Sequence, residues 1–502
     1  MKILSAEQIR KVDEYTISHE PVASIDLMER AAMACFRRLI KLSNPESRFH
    51  IYCGMGNNGG DGMAIGRLLM ERGFTAKVFI IHSGKNFSND AQRNYELLKT
   101  KFSEAVIDVH SSDQLRSEKQ SATAIDAIFG SGLNKPAEGL AAQAIDFINN
   151  NYSIIISIDV PSGLFIDKSS AANKSIVHST LTFSLQLPKL AYLLPENKNY
   201  IRDFELVDIG LSEDGIASQP TNNYYITKAY IKTLLKKRNK FDHKGTFGHA
   251  LLLAGSRGKA GAAVISAGAC LRSGTGLLTV HSTADVTNAL LRHFPEAMSE
   301  RDSNDNYISE IHQPEKYDAI GFGPGAGTEK DTEQTLKKLL QYYSGLMVID
   351  ADGLNILSEN KTWLEFLPPS CILTPHPKEF ERLTEKTNDD FERLQMLRNF
   401  SLKYGCIVIL KGAHSATAMP DGNIFFNSSG NPGLAKGGSG DALTGIILGL
   451  LARGYNAPQA AIIGTFVHGY AADLCCKKMS EESMLATDLI KMLPKVFRKL
   501  EE

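Results

Sequence analysis

The chain has 502 residues, enough for two or three domains that each bury a core. Its 55 lysines and arginines against 56 aspartates and glutamates leave a formal net charge of −1, which argues against a dedicated nucleic-acid binder. With 43% hydrophobic and 22% charged residues it reads as a globular protein, and seven cysteines without a C-x-x-C pair read as reduced thiols of a cytosolic one.

Ser5 and Gln8 form a capping box for a first helix, and the N-terminus does not have the pattern of a signal peptide. No uninterrupted apolar run is long enough to cross a bilayer, so the expected compartment is the cytoplasm, with no membrane partner. After two N-terminal helices the chain alternates strand and helix. Strands are expected at Phe49 to Cys53, Ala76 to His82, Ala105 to His110, Ala122 to Phe129, Ile154 to Val160, Leu181 to Leu185 and Phe204 to Ile209. Helical patterns at Met63 to Arg72, Asp90 to Lys101 and Ala141 to Asn149 fall between them. A polar stretch from Ser212 to Asn223 reads as a linker. A second series of strands follows at His249 to Ala254, Leu277 to His281, Ala319 to Phe322, Leu346 to Asp350, Cys371 to Thr374 and Ile407 to Lys411. Buried strands alternating with helices predict an α/β protein of two domains, each built on a mostly parallel, doubly wound sheet. The expected extents are 1–212 and 224–502, joined by 213–223.

Two glycine-rich loops that end in an acid dominate the chain, Gly54-Met55-Gly56-Asn57-Asn58-Gly59-Gly60-Asp61-Gly62 and Gly437-Gly438-Ser439-Gly440-Asp441. Each follows residues that suit an extended segment and precedes a helical pattern, so each can aim backbone N–H groups at a phosphate and set a carboxylate beside it. The first satisfies G-x-G-x-x-G, but the strand that follows ends at Ile80-Ile81-His82-Ser83, without the acid that holds a ribose in hydride-transfer domains. Asp126 and Asp159 end two further strands, before Gly130-Ser131-Gly132-Leu133-Asn134-Lys135-Pro136 and within Asp159-Val160-Pro161-Ser162-Gly163. Ligands bind at the carboxyl ends of parallel strands, so Asn58, Asp61, Asp126, Asp159 and Ser162 can share one crevice. Such oxygen ligands suit a hard cation, and a carboxylate beside one can move a proton; the competing reading is that these acids only cap helices and turns.

This arrangement resembles the N-terminal domain of the YjeF family, the NAD(P)H-hydrate epimerases, over roughly residues 1–212. The resemblance implies a Rossmann-like three-layer αβα sandwich in which Asn57, Asn58, Gly59, Gly60 and Asp61, with Gly130 to Pro136, hold the hydrated dinucleotide. It implies potassium on Asn58, Asp126 and Ser162, and makes Asp159 both a substrate contact and the catalytic acid–base residue.

In the second half, bare N–H groups at Gly438 to Gly440 lead into the apolar helix Ala442 to Leu451 and would face a transferring phosphoryl group. Asp441 in its first turn is placed to take a proton from an attacking hydroxyl, and there is no Walker A pattern. Lys411-Gly412-Ala413-His414-Ser415 ends a strand, His376 stands between Pro375 and Pro377, and Gly323-Pro324-Gly325-Ala326-Gly327 allows close backbone approach. Together these resemble the ribokinase-like superfamily, and Thr374-Pro375-His376-Pro377 with Lys411-Gly412-Ala413-His414 narrows the resemblance to the NAD(P)H-hydrate dehydratases over about 224–502. That implies hydrate contacts at His376, Asp441, Ala263 or its neighbour Ala262, and Gly325 or Gly327, with Asp441 catalytic. The adenine nucleotide, ADP or ATP with magnesium, would lie on Lys411, Gly412, Ala413, His414, Ser415 and Gly440.

The two halves in one chain thus resemble the bifunctional NAD(P)H-hydrate repair family, which implies epimerisation of the R and S hydrates of NADH and NADPH, then nucleotide-dependent dehydration of the S form. Self-association into a homo-oligomer is a further family-level expectation. The competing reading is a plain small-molecule kinase carrying an N-terminal binding module.

Overall fold

Seven short apolar segments of the N-terminal half pair into one parallel sheet, β1 (Arg48–Cys53), β2 (Thr75–Ile81), β3 (Val106–Val109), β4 (Ala122–Ala127), β5 (Ile155–Ile158), β6 (Leu181–Leu185) and β7 (Phe204–Val207). The computed structural model describes residues 1–20, 22–84, 86–115 and 122–502. It separates into two units, one of Lys2–Thr221 and one of Asn222–Asn388 with Glu392–Glu502.

The strand order of the first sheet is β3-β2-β1-β4-β5-β6-β7, so the chain reverses direction between β1 and β4. Gly54 N–H donates to the Ala127 carbonyl across that switch point, where open parallel sheets bind ligands. Period-two alternation covers both faces. Phe49, Ile51 and Cys53 face helices α1 (Ala6–His19), α2 (Ser24–Leu42), α3 (Asn57–Glu71) and α4 (Asn89–Phe102), while Tyr52 joins the opposite layer with α5 (Gly139–Asn151). The capping box of α1 is present, with Ser5 and Gln8 each accepting the other's backbone N–H.

Two expectations change. α3 begins at Asn57, six residues before the predicted start, so most of the first glycine loop is helical. Glycine is a poor helix former, but it lets this helix lie tight on the sheet: a Cβ on Gly59 would collide with the Gly54 carbonyl, and one on Gly62 would press on Ala127 and Cys53. The stretch 212–223, read as a linker, carries a short helix α6 (Glu213–Ser218) capped by Ser212, and the divide between the units falls after it, at Thr221.

The C-terminal unit is built on ten strands, β8 (Asn223–Tyr225), β9 (His249–Leu253), β10 (Leu277–Ser282), β11 (Met298–Arg301), β12 (Ala319–Phe322), β13 (Leu346–Ile349), β14 (Ile372–Leu373), β15 (Ile407–Leu410), β16 (Ala416–Ala418) and β17 (Ile424–Phe426). Their order is β11-β10-β9-β12-β13-β14-β15-β16-β17-β8, parallel except for the two pairings of β16. The switch point lies between β9 and β12, where Gly255 N–H donates to the Pro324 carbonyl. Helix Ser439–Ala452 is buried on nearly every side, as its apolar run requires, and packs on helix Ala260–Arg272 where Gly445 and Gly449 leave room for the carbonyls of Ser266 and Cys270. The loop before it follows a 3₁₀ turn, Pro432–Leu434, rather than the extended segment expected.

Candidate active sites

The N-terminal site forms where β4 and β5 end beside the start of α3. Asp126 is fully buried at the penultimate position of β4. Its carboxylate accepts from Ser157 Oγ (2.8 Å), Ser162 N (2.8 Å), Ser162 Oγ (2.5 Å) and Ile128 N (3.3 Å). Burial nonetheless outweighs these bonds and raises its pKa above the usual carboxylate value. Ser162 Oγ also accepts from Phe129 N and reaches the Phe129 carbonyl at 3.2 Å, tying the loop after β4 to the loop after β5. Asn58, in the first turn of α3, is buried with both amide atoms unpartnered, and Gly130 passes directly against it.

Asp159 sits one residue beyond β5 with φ +61°, a left-handed backbone that costs a non-glycine residue on the order of 1 kcal/mol and recurs at functional sites. Three contacts hold it there. Ser131 N–H donates to Oδ2 at 3.2 Å, Tyr192 O–H donates to its carbonyl, and Lys189 Nζ lies 2.5 Å from Oδ1. Lys189 is wholly buried and also donates to Ser184 Oγ and the Leu185 carbonyl.

These groups adjoin a cavity of about 920 Å³, lined by Asn57, Asn58, Asp61, Gly130, Ser131, Gly132, Leu133, Pro136 and Asp159 among the residues predicted to bind substrate. Gly59 and Gly60 are buried beneath its wall, and Asn134 and Lys135 lie outside the lining, the Asn134 carbonyl accepting from Lys168. Asp126 and Ser162 are one layer deeper. Asp61 is buried against the cavity, and burial followed by the charges of Asp159 and Asp13 raises its pKa above the usual carboxylate value. Sequence reasoning missed Asp13, Lys189 and Tyr192. Asp13 and Lys189 lie on a polar helix face and in a Leu-Pro-Lys turn, patterns that read as surface.

The C-terminal site forms at the ends of β13 and β15 and the start of helix Ser439–Ala452. Gly438 caps that helix with φ +89°, and Asp441 stands in its first turn. Lys411 Nζ donates to Asp350 Oδ1 at 2.9 Å, and Thr444 Oγ1 donates to Asp350 Oδ2 at 2.7 Å. Both ends of this bridge lie beside Gly440, where a Cβ would stand in ordinary contact, 3.4 Å from Lys411 Nζ and 3.7 Å from Asp350 Oδ2. Burial, then the nearby Asp350 carboxylate, raises the pKa of Asp441 to about 6. His468 donates from Nε2 to the Ser439 carbonyl at 2.9 Å, and its burial lowers its pKa to about 4, which keeps it neutral.

His376 is the N-cap of helix Pro377–Leu383. Its Nδ1 accepts from the N–H groups of Lys378 and Glu379, so the ring proton sits on Nε2, on a half-exposed side chain. The loop Lys411 to Ser415 is closed by Gly412 N–H donating to Ser415 Oγ and by His414 Nδ1 meeting the Asn427 carbonyl, while Gly412 and Ala413 are exposed. Gly325 (φ +61°) faces Ala262 and Lys259, whereas Ala263 is fully buried under Gly255. Gly327 N–H donates to Asp352 Oδ2. Asp350 escaped the sequence reading although it carries the signal used in the first half, an acid directly after a buried strand. Ala351 beside it has φ +47°, a second strained residue at a strand end.

Comparison with known proteins bears on both units. Residues 24–191 match the family described as YjeF-related protein N-terminus, and residues 250–495 match the family described as NAD(P)H-hydrate dehydratase. The chain is 32% identical to the bifunctional NAD(P)H-hydrate repair enzyme Nnr of Moorella thermoacetica over 100% of this chain and 98% of that one. It is 29% identical to the enzyme of the same description from Escherichia coli, over 98% and 93%. The crystal structure of the ADP/ATP-dependent NAD(P)H-hydrate dehydratase of Bacillus subtilis, co-crystallised with ATP and Mg2+, is similar at 30% identity and a TM-score of 0.50, covering 56% of this chain and all of that one. With both family regions present and a relative above 30% identity matched from end to end, the chain belongs to the bifunctional NAD(P)H-hydrate repair family.

Proposed function

We propose that this chain repairs hydrated NADH and NADPH in two steps at two sites of its own. The N-terminal unit interconverts the R and S hydrates, and the C-terminal unit dehydrates the S form at the expense of ADP or ATP. The observation that supports the reading is that each unit gathers polar groups at the carboxyl ends of its parallel strands, around the cavity beside α3 in the first and around the Lys411–Asp350–Thr444 bridge in the second. The N-terminal cavity is of the size of a large-ligand pocket, and the start of α3 gives it an anion-binding end for the pyrophosphate.

In that unit, Asp159 is the acid–base residue, oriented by Lys189 and Tyr192. Asn57, Asn58, Asp61 and the loop Gly130 to Pro136 bind the dinucleotide. Asn58, Asp126 and Ser162 would hold potassium, and the buried, unpartnered amide oxygen of Asn58 suits such a hard ion. Potassium would supply a fixed positive charge to that site.

In the C-terminal unit, Asp441 removes the proton of the hydrate's hydroxyl as that oxygen takes the terminal phosphoryl group of the nucleotide. Gly438 to Gly440 and Lys411 receive the moving charge, and His376 donates from Nε2 to the substrate. Lys411 to Ser415 and Gly440 hold the nucleotide, while Gly325 or Gly327 with Ala262 or Ala263 lie against the hydrate. Phosphate then leaves with the C–O electron pair, driven by the ring nitrogen lone pair, and loss of a proton from the neighbouring ring carbon restores the reduced ring. Magnesium would arrive on the nucleotide and spread the phosphate charge; among the described residues no cluster of three His, Cys, Asp or Glu side chains offers a ready-made protein cage for it.

The test separates the sites. Chromatographically purified R hydrate is incubated without nucleotide and the S form is followed. Asp159→Ala is expected to abolish its appearance while leaving nucleotide-dependent dehydration of pure S hydrate intact, and Asp441→Asn is expected to do the converse. A stable phosphorylated product accumulating at the C-terminal site would replace this reading with that of a small-molecule kinase.

A further inference from the structure

Four carboxyl residues line the N-terminal cavity: the exposed Glu138 just before α5, and three from other elements, Asp13 on α1, Asp61 in the second turn of α3, and Asp159 after β5. Among the described residues, only Asp159 of these has a paired cation, Lys189. Asp61 is more than nine-tenths buried, lines the cavity and makes no hydrogen bond among the described residues, so the site is built for a polar ligand rather than merely acidic. The hydrate is epimeric at the carbon that carries the hydroxyl beside the ring nitrogen. Inverting it requires one group to protonate the departing hydroxyl and another to accept a proton from the water that adds to the opposite face.

We propose that Asp13 is the second proton-transferring residue of the epimerase, paired with Asp159; the inference rests on the epimerase reading of this cavity. Asp13 gives its proton to the hydroxyl oxygen, the C–O bond breaks with its electron pair on oxygen, and water leaves. The nitrogen lone pair forms the C=N bond of a planar iminium. Water then adds from the other face, the π pair returns to nitrogen, and the proton released passes to the Asp159 carboxylate. The pair ends with its single proton on the opposite partner, which is the form that runs the reverse conversion.

The surroundings of Asp13 suit this. Arg10 and Glu14 share its helix, Asp61 faces it from α3, and Asp159 and Lys189 from the segments after β5 and β6. Burial, followed by the charge of Asp159, raises the Asp13 pKa to about 7, so about half of it keeps its proton at pH 7, where an ordinary aspartate is almost wholly ionised.

The experiment measures epimerisation of R hydrate against pH in the full-length wild type, Asp13→Asn and Asp13→Glu, with NADP+ binding and dehydratase rate as controls of folding. Asp13→Asn is expected to lose epimerisation by about a hundredfold or more, with NADP+ affinity and dehydratase rate within about twofold, and Asp13→Glu to keep a measurable part. In the wild type kcat/KM is expected to fall above about pH 7 as the shared proton is lost, and that limb is expected to vanish in Asp13→Asn. Asp13→Asn epimerising at wild-type rate, or losing NADP+ binding in step with activity, overturns the proposal. A wild type that dehydrates S hydrate yet never epimerises overturns the epimerase reading and this inference with it.

Discussion

Lys189 Nζ lies 2.5 Å from Asp159 Oδ1, and the lysine is buried completely while the aspartate is held in a left-handed backbone. A cation sealed beneath the cavity wall has one evident task, which is to fix the carboxylate that faces the ligand.

Lys189→Met leaves that carboxylate without its partner. Removing one member of a buried pair costs about 3–5 kcal/mol, so the N-terminal unit is expected to unfold at markedly lower urea concentration. Lys189→Met with Asp159→Asn is expected to recover part of the loss, because no charge then remains unpaired. An unchanged midpoint in the single variant would show that the pair contributes nothing.

Asp441 acts as a base only when ionised, and its pKa is raised to about 6. Dehydration of pure S hydrate is therefore expected to lose kcat/KM as pH falls through about 6. Asp350→Asn removes the negative charge that is the second cause of the shift and frees Lys411 toward Asp441, so both changes move the limb to lower pH. A pH–rate profile of the two proteins decides it; a limb that moves upward would contradict the assignment.

Gly56 and Gly59 stand three residues apart at the start of α3 but differ in surroundings. Nothing lies within 4 Å of a Cβ on Gly56, whereas one on Gly59 would collide with the backbone of Gly54. Gly59→Ala is expected to cost at least about 2 kcal/mol through overpacking. Gly56→Ala, at the helix cap, is expected to cost less than about 1 kcal/mol. Thermal unfolding of both variants checks the order.

If Asn58 contributes to a potassium site, epimerisation is expected to rise with potassium at constant ionic strength and to respond less to lithium. Asn58→Ala is expected to remove that dependence while the dehydratase is unaffected. Equal rates in both salts would dissociate Asn58 from cation binding.

How legible this was in the sequence depended on whether the signal was local. Strand positions such as Leu181–Leu185 and Ala319–Phe322 are apolar runs set by burial on both faces, and the sequence places them at these residues. Asp126 and Asp159 follow the rule that ligands meet parallel strands at their carboxyl ends. The helical state of Asn57 to Gly62 is not local: propensity opposes it, and close packing on the sheet overrides it. β8, β16 and β17 are three residues each, too short to show a period, and exist because they pair with one another beyond β15. Lys189 and Asp13 became functional candidates only once the fold had turned their side chains toward the cavity or its wall. Asp350 was legible by the same strand-end rule, since it directly follows the buried β13.

The central claim, two successive repair activities in one chain, is tested most directly by restoring a mixed-epimer NADH hydrate with purified protein and following the reduced-nicotinamide absorbance with ADP, ATP or no nucleotide. Recovery is expected to require a nucleotide and to proceed beyond the S fraction, faster than spontaneous epimerisation. Recovery that stops at the S fraction would contradict the epimerase assignment, and no recovery with either nucleotide would contradict the dehydratase.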